Sequence, residues 1–334
     1  MQEDAMQWPN FIRHAEGGSV KRLGESMARA VLVALISAVA IRAPMRAQVP
    51  AAAPQIKAVT VSEGVELHYV EMGKGEPVVF VHGSLSDGGF WNPQLAPFAE
   101  KYHVIAYSRR YNPPNKNKPQ ADYSAVTDAD DLAGLIEKLH LGRTNVIGHS
   151  YGAYTALFLA VRHPELVCSL VVAEAPAMPL LAYLPGDEAE LGKKALADIR
   201  AHMEAPMKAA FKKGDQNAGV GAFINYLSGD PGAWSKWPEE ARRETLANAH
   251  EWDVMLTEGE LFPDLKPEAV RKIKVPTLLL SGSKTFEFLR LIDEELSRLL
   301  PHNQRIVLPG ATHHMFYEQP EKCRSIILEF LQGK

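Results

Sequence analysis

Val146-Ile147-Gly148-His149-Ser150-Tyr151-Gly152 is the stretch that decides the fold. It reads G-x-S-x-G, directly after a short apolar run with strand character (Asn145-Val146-Ile147). Helical spacing over Ala153 to Arg162 follows at once. In that strand–turn–helix setting the serine sits on a tight, strained turn. Glycines at 148 and 152 remove side chains that would clash there. The turn lifts the Ser150 hydroxyl clear of the sheet and aims the start of the next helix at the reacting centre. The plain alternative is a glycine-rich helix start capped by a serine. A serine hydroxyl becomes a nucleophile only with a base, an acid behind that base and donors for the oxyanion. The rest of the chain offers a candidate for each of those three parts.

Upstream, Pro77-Val78-Val79-Phe80-Val81 is continuously apolar, the mark of a strand buried in a parallel sheet, and His82-Gly83-Ser84 follows it. The backbone amides of Ser84 and Tyr151 are the expected oxyanion hole. Downstream, Val307-Leu308-Pro309-Gly310-Ala311-Thr312-His313 sets a histidine on a loop after the last strand. His313 is the expected base, with the adjacent His314 as the alternative; His140 and His163 read as helix-end or surface residues. Strand patterns over Ile56–Val61 and Val65–Val70 flank a turn at Glu63-Gly64. Further strands are expected at Val104–Tyr107, Leu166–Ala173, Thr277–Leu280 and Arg305–Leu308, and helices at Thr127–Leu139, Phe286–Leu300 and on to Phe330. This alternation predicts right-handed βαβ units and a mostly parallel sheet covered on both faces. From Pro176 to about Pro267 it stops: helix-like segments rich in Ala, Met and Trp are separated by Gly and Pro, which reads as an inserted helical lid.

With those residues in place, the chain from about Ile56 to Leu331 resembles the α/β-hydrolase superfamily, in its capped esterase, lactonase and dehalogenase-like branch. His82-Gly83, Gly148-x-Ser150-x-Gly152 and Pro309-Gly310-x-x-His313 carry the resemblance, in that order. It implies an α/β-hydrolase fold: a mostly parallel eight-stranded sheet flanked by helices, with the lid inserted. The sequence departs from the family pattern at one point. Most members place the acid in a G-x-x-D loop after the penultimate strand, whereas this loop reads Ser281-Gly282-Ser283-Lys284-Thr285. Threonine cannot hold a negative charge against an imidazolium. Some haloalkane-dehalogenase-like members place the acid at the end of the strand after the nucleophile helix. Here that position falls in Val171-Val172-Ala173-Glu174-Ala175-Pro176. A carboxylate closing an apolar strand is costly to bury without a partner. Glu174 is therefore the expected acid, and Glu287, two residues past Thr285, is the alternative. A serine nucleophile, where related dehalogenases and epoxide hydrolases use Asp, implies an acyl-serine and hence carboxylic esters, lactones or thioesters. Carbon–carbon bond hydrolysis or cofactor-free perhydrolysis would reuse the same triad. A non-catalytic ligand-binding protein on this fold is the reading from another class.

Phe90, Trp91 and Arg109 are candidate substrate-binding residues, joined in the lid by Met178, Tyr183, Met203, Met207, Phe211, Phe223, Tyr226, Trp234 and Trp237, most of which also read as lid core. No Walker loop, no G-x-G-x-x-G after a strand and no H-E-x-x-H occurs, so neither organic cofactor nor metal is expected. Among 334 residues, 36 Lys and Arg stand against 40 Asp and Glu, which leaves no basic excess for binding nucleic acid. The expected partner is a small-molecule ester, and oligomeric state is not legible. Cys168 and Cys323 are too few for a disulfide framework, do not form CxxC, and are expected to be free. The first 47 residues differ from the rest. Lys21, Arg22 and Arg29 precede the apolar run Ala30–Ile41, and Ala43 and Ala47 offer cleavage sites. That is the pattern of a signal peptide for a periplasmic or secreted protein, with Met27 an alternative start. The run falls short of the roughly 20 residues a stable membrane span needs. The expected organisation is a signal peptide over 1–47, a linker over 48–55, an α/β-hydrolase core over 56–175 and 268–334, and a helical lid over 176–267.

Overall fold

The computed structural model describes residues 55–334, so the expected signal peptide and residues 48–54 of the expected linker lie outside the described residues. The short apolar runs become eight strands: β1 (Lys57–Ser62), β2 (Val65–Met72), β3 (Pro77–Val81), β4 (His103–Tyr107), β5 (Thr144–His149), β6 (Val167–Ala173), β7 (Thr277–Gly282) and β8 (Asn303–Leu308). They form one sheet in the order β1-β2-β4-β3-β5-β6-β7-β8. β2 runs antiparallel to both its neighbours, and every pairing from β4 across to β8 is parallel. Side chains alternate between the faces, so one strand feeds two cores. In β3, Val79 and Val81 enter one core while Val78 and Phe80 enter the other.

Helices cover both faces. They are α1 (Asn92–Ala99), α2 (Ala125–Lys138), α3 (Tyr151–Arg162), α4 (Glu188–Ile199), α5 (Ala205–Phe211), α6 (Gln216–Ser228), α7 (Glu239–Ala247), α8 (His250–Thr257), α9 (Pro267–Val270), α10 (Glu287–Leu299), α11 (Met315–Glu318) and α12 (Pro320–Gly333). Helices α2, α3 and α10 pack on one face through residues such as Leu132, Leu157 and Leu296; α1 and α12 pack on the other through Leu95, Phe98, Ile327 and Phe330. α2 begins where Ser124 and Thr127 cap each other's backbone amides. α1 has no counterpart among the sequence-based expectations, because Pro93 and Pro97 mask it. Pro93 sits in the first turn, where its missing N–H has no intrahelical partner to lose. Between β6 and β7 the chain forms α4 to α9, with a π-helical turn at Arg200–Glu204 joining α4 to α5. Met203, Met207, Phe211, Val220 and Trp252 are buried in this insertion, and Phe223 meets the Trp252 ring edge-on at 4.7 Å. Among the described residues no helix is long and apolar enough to cross a membrane.

Candidate active site

The candidate residues gather at the carboxyl ends of the parallel strands, where open α/β sheets generally place their sites. Ser150 follows β5 at φ +53° and ψ −124°, a conformation that side chains rarely adopt. Its amide donates to Ala173 O at 2.8 Å, and its carbonyl accepts from the amides of Ala153 (2.9 Å) and Tyr154 (3.1 Å). These bonds hold a strained residue, of the order of 1–3 kcal/mol, in place. The two motif glycines are sterically required. A Cβ at Gly148 would lie 2.5 Å from Ala153 Cα, and one at Gly152 would lie 2.2 Å from Val81 O.

Glu174 follows the last residue of β6, buried, and again left-handed at φ +50°. Its Oε1 accepts the Gly282 amide at 2.7 Å, and its Oε2 lies 2.5 Å from His313 Nδ1. In the neutral imidazole this bond places the proton on Nδ1 and leaves Nε2 unprotonated. A second histidine fixes the same loop. His149 is buried and stacks on Phe90 at 5.3 Å with 4° between the rings; its Nε2–H donates to His313 O at 3.0 Å. Burial, with His313 beside it, holds His149 well below the usual imidazole range, so no second cation adjoins His313. His314 is exposed, and Glu174 bonds to His313 instead.

Ser84 and Tyr151 line the same cavity as Ser150 and His313. The turn that carries Ser84 is braced from below. His82 Nδ1–H donates to Gly83 O at 2.8 Å, and His82 Nε2 accepts the Arg109 amide at 2.9 Å. Burial and the neighbouring Arg109 guanidinium keep His82 neutral, well below its ordinary value.

Three expected positions fall elsewhere. Arg109 does not reach the cavity: its side chain is fully buried, pairs with Asp128 at 2.7 Å and with Glu251, and lies 5.0 Å from the centre of the Tyr151 ring. Trp91 is wholly buried in the core on the opposite face of the sheet, against Phe80 and Phe316, and Phe90 caps His149 instead of facing the cavity. Neither bounds the space beside Ser150. Of the two acids, Glu287 points into solvent and pairs with Arg290 at 2.6 Å on α10. Thr285 keeps a buried hydroxyl with no hydrogen-bond partner. The cavity walls are apolar. Of the nine lid residues read from the sequence, Met178, Met203 and Phe223 line it; Met207, Phe211 and Trp234 are buried as core of the insertion, and Tyr183, Tyr226 and Trp237 lie off the cavity, while Trp252, Phe286 and Phe288 join unanticipated. The signal for the last three was local: an indole between Glu251 and Asp253, and two phenylalanines flanking a glutamate. Among the described residues no Lys, Arg, Asp or Glu side chain lines this cavity. Among the described residues no group of three or more His, Cys, Asp and Glu is placed to hold a metal ion.

Comparison with known proteins agrees with this architecture. Two curated relatives are the 2-hydroxy-6-oxo-6-(2'-aminophenyl)hexa-2,4-dienoic acid hydrolase of Metapseudomonas resinovorans and the 2-(acetamidomethylene)succinate hydrolase of Mesorhizobium japonicum. The first is 27% identical over 292 residues, 81% of this chain and 89% of that protein. The second is 27% identical over 272 residues, 80% of this chain and 92% of that protein. Among solved structures, the enol-lactonase of Burkholderia xenovorans LB400 superposes with a TM-score of 0.64 at 19% identity, over 82% of this chain and 99% of that one. The carboxylesterase CesB of Bacillus subtilis gives 0.62 at 20% identity, over 84% and 93%. The family model described as the alpha/beta hydrolase family matches residues 78–326. With that match spanning β3 to α12, and with the eight-stranded sheet in place, the chain belongs to the alpha/beta hydrolase family.

Proposed function

We propose that this hydrolase is a serine esterase that cleaves neutral carboxylic esters, lactones or thioesters through an acyl-serine. The observation that carries the reading is the Glu174–His313 pair at 2.5 Å, bordering the cavity that Ser150 also lines. Ser150 Oγ attacks the ester carbonyl while its proton passes to His313 Nε2. Glu174 holds the imidazolium that forms, and the Ser84 and Tyr151 amides receive the oxyanion. The tetrahedral adduct expels the alcohol, which takes the proton from His313, and water then repeats the sequence on the acyl-enzyme. The apolar walls favour a neutral substrate, because a carboxylate buried there without a cationic partner would be strongly disfavoured.

The identity with a dienoic acid hydrolase keeps carbon–carbon bond cleavage as the second reading. Its substrate is an acid, and this cavity offers no cationic Lys or Arg side chain to receive one. A fluorophosphonate probe and a panel of aryl esters test the proposal together. The wild type is expected to take up the probe and release aryl alcohol, and Ser150→Ala to do neither. An unlabelled wild type would point to the ligand-binding reading. A labelled enzyme inert to every ester but active on a vinylogous diketone would point to carbon–carbon cleavage. We also propose export, on the signal-like pattern of Lys21 to Ala47 alone. N-terminal sequencing of the mature protein, expected to begin after Ala43 or Ala47, checks it.

A further inference from the structure

Beneath the cavity lies a charge cluster that the proposed reaction does not use. Arg109 is fully buried and donates in four directions: Nε to His82 O (3.3 Å), Nη2 to Gly83 O (3.2 Å) and to Glu251, and Nη1 to Asp128 (2.7 Å). Asp128 also accepts the Tyr123 hydroxyl at 2.7 Å. Glu251 comes from α8, within the helical insertion, and is itself wholly buried. Its free oxygen accepts the Leu85 amide at 2.8 Å. Leu85 stands at φ +56°, a backbone state that a leucine keeps only where its surroundings impose it. The carbonyls of His82 and Gly83 and the amide of Leu85 are thus all engaged on the Arg109–Glu251 side. Ser84 lies between them and faces the cavity. Trp252, the next residue of α8, lines that cavity, so one turn of the insertion both walls the substrate space and anchors the turn below it.

We propose that Glu251 is a positioning residue: by bonding Arg109 and the Leu85 amide, it makes seating of the helical insertion and assembly of the oxyanion hole one event. The inference rests on the serine-hydrolase reading above for its kinetic consequence, and on the hydrogen bonds alone for the positioning. With one cation facing two carboxylates, Glu251→Gln leaves Arg109 balanced by Asp128, so the buried charge is not stranded. The amide that replaces one carboxylate oxygen opposes a guanidinium or the Leu85 N–H and cannot satisfy both.

The test compares wild type with Glu251→Gln in three measurements: ester kinetics, affinity for an aryl trifluoromethyl ketone whose hemiketal presents an oxyanion, and amide exchange across His82–Ser86. The expected result is a 10- to 100-fold fall in kcat with KM within about threefold, and a matching loss of ketone affinity. Leu85 exchange should quicken at least tenfold. The loss is smaller than the roughly 10²- to 10³-fold that deletion of an oxyanion-hole donor produces, because the Ser84 amide is displaced and not removed. A merely structural role would lower the melting temperature and leave the ketone affinity of the folded fraction intact. That result overturns the proposal, whatever the exchange shows. If the Gln variant does not fold, Glu251→Asp, one methylene too short to reach both partners, is read in the same way. A wild type inert to the fluorophosphonate would instead count against the serine-hydrolase reading, and Leu85 exchange would then decide the positioning alone.

Discussion

Two neighbouring strands end in opposite ways. β6 runs out of buried Val and Ala into Glu174, which turns left-handed, accepts the Gly282 amide and reaches His313. β7 runs out into Gly282-Ser283-Lys284-Thr285, where the family pattern would put the acid and this chain has a hydroxyl without a hydrogen-bond partner. The β7 end has nonetheless kept a part in the site: its Gly282 amide orients the carboxylate that β6 supplies. The difference teaches that a carboxylate engages this imidazole where it has both reach to Nδ1 and a donor for its second oxygen, and the β6 end supplies both. Two residues at positive φ share the arrangement, since the Ser150 amide is held by the carbonyl of Ala173, the residue just before Glu174. Ser150 and Glu174 are placed by one hydrogen-bonded junction between β5 and β6.

The most demanding way to sharpen the contrast is to move the acid. On a Glu174→Gln background, Thr285→Asp is expected to recover 10- to 100-fold in kcat, because it returns a carboxylate to the β7 loop. Ester turnover of the single and double variants measures it, and no recovery would mean that the β7 end of this chain lacks reach. A smaller effect concerns the β5 end. Burial holds His149 neutral in the folded protein, so the unfolded chain binds the extra proton as pH falls below about 6.5. Folding stability therefore declines toward acid by about 1.4 kcal/mol per pH unit for such a group. His149→Phe keeps the stacking surface for Phe90 and should flatten the slope by that amount. Urea unfolding between pH 5 and 7 checks this, and an unchanged slope would mean that His149 titrates freely in the folded state.

The strand–turn–helix around Ser150 was legible because its chemistry demands particular residue types at backbone-defined places, and those places fall within seven residues. Pro309-Gly310-x-x-His313 was legible as a motif too, and Glu174 because the family resemblance points to the end of that strand, where a lone carboxylate needs a partner. Side-chain direction was not legible. Arg109 follows β4 at the rim of the site, yet its partners Asp128 and Glu251 lie 19 and 142 residues along the chain and draw it beneath the cavity. Phe90 and Trp91 sit beside the oxyanion turn in sequence, but the α1 region folds them against the opposite core and His149. Nor does any letter in Val-Val-Ala-Glu-Ala announce that Glu174 turns left-handed. The cavity walls are set where the helical insertion meets the loop before α10, a contact no local pattern encodes.

In the proposed mechanism the acid comes from the end of β6. The direct measurement is kcat for aryl ester hydrolysis in Glu174→Gln beside Glu287→Gln, both checked for native melting. A loss of roughly 10²- to 10⁴-fold is expected in the first, from a misoriented and unsupported imidazole, and wild-type turnover in the second. Near-normal turnover in Glu174→Gln, with the loss falling on Glu287→Gln, would contradict it.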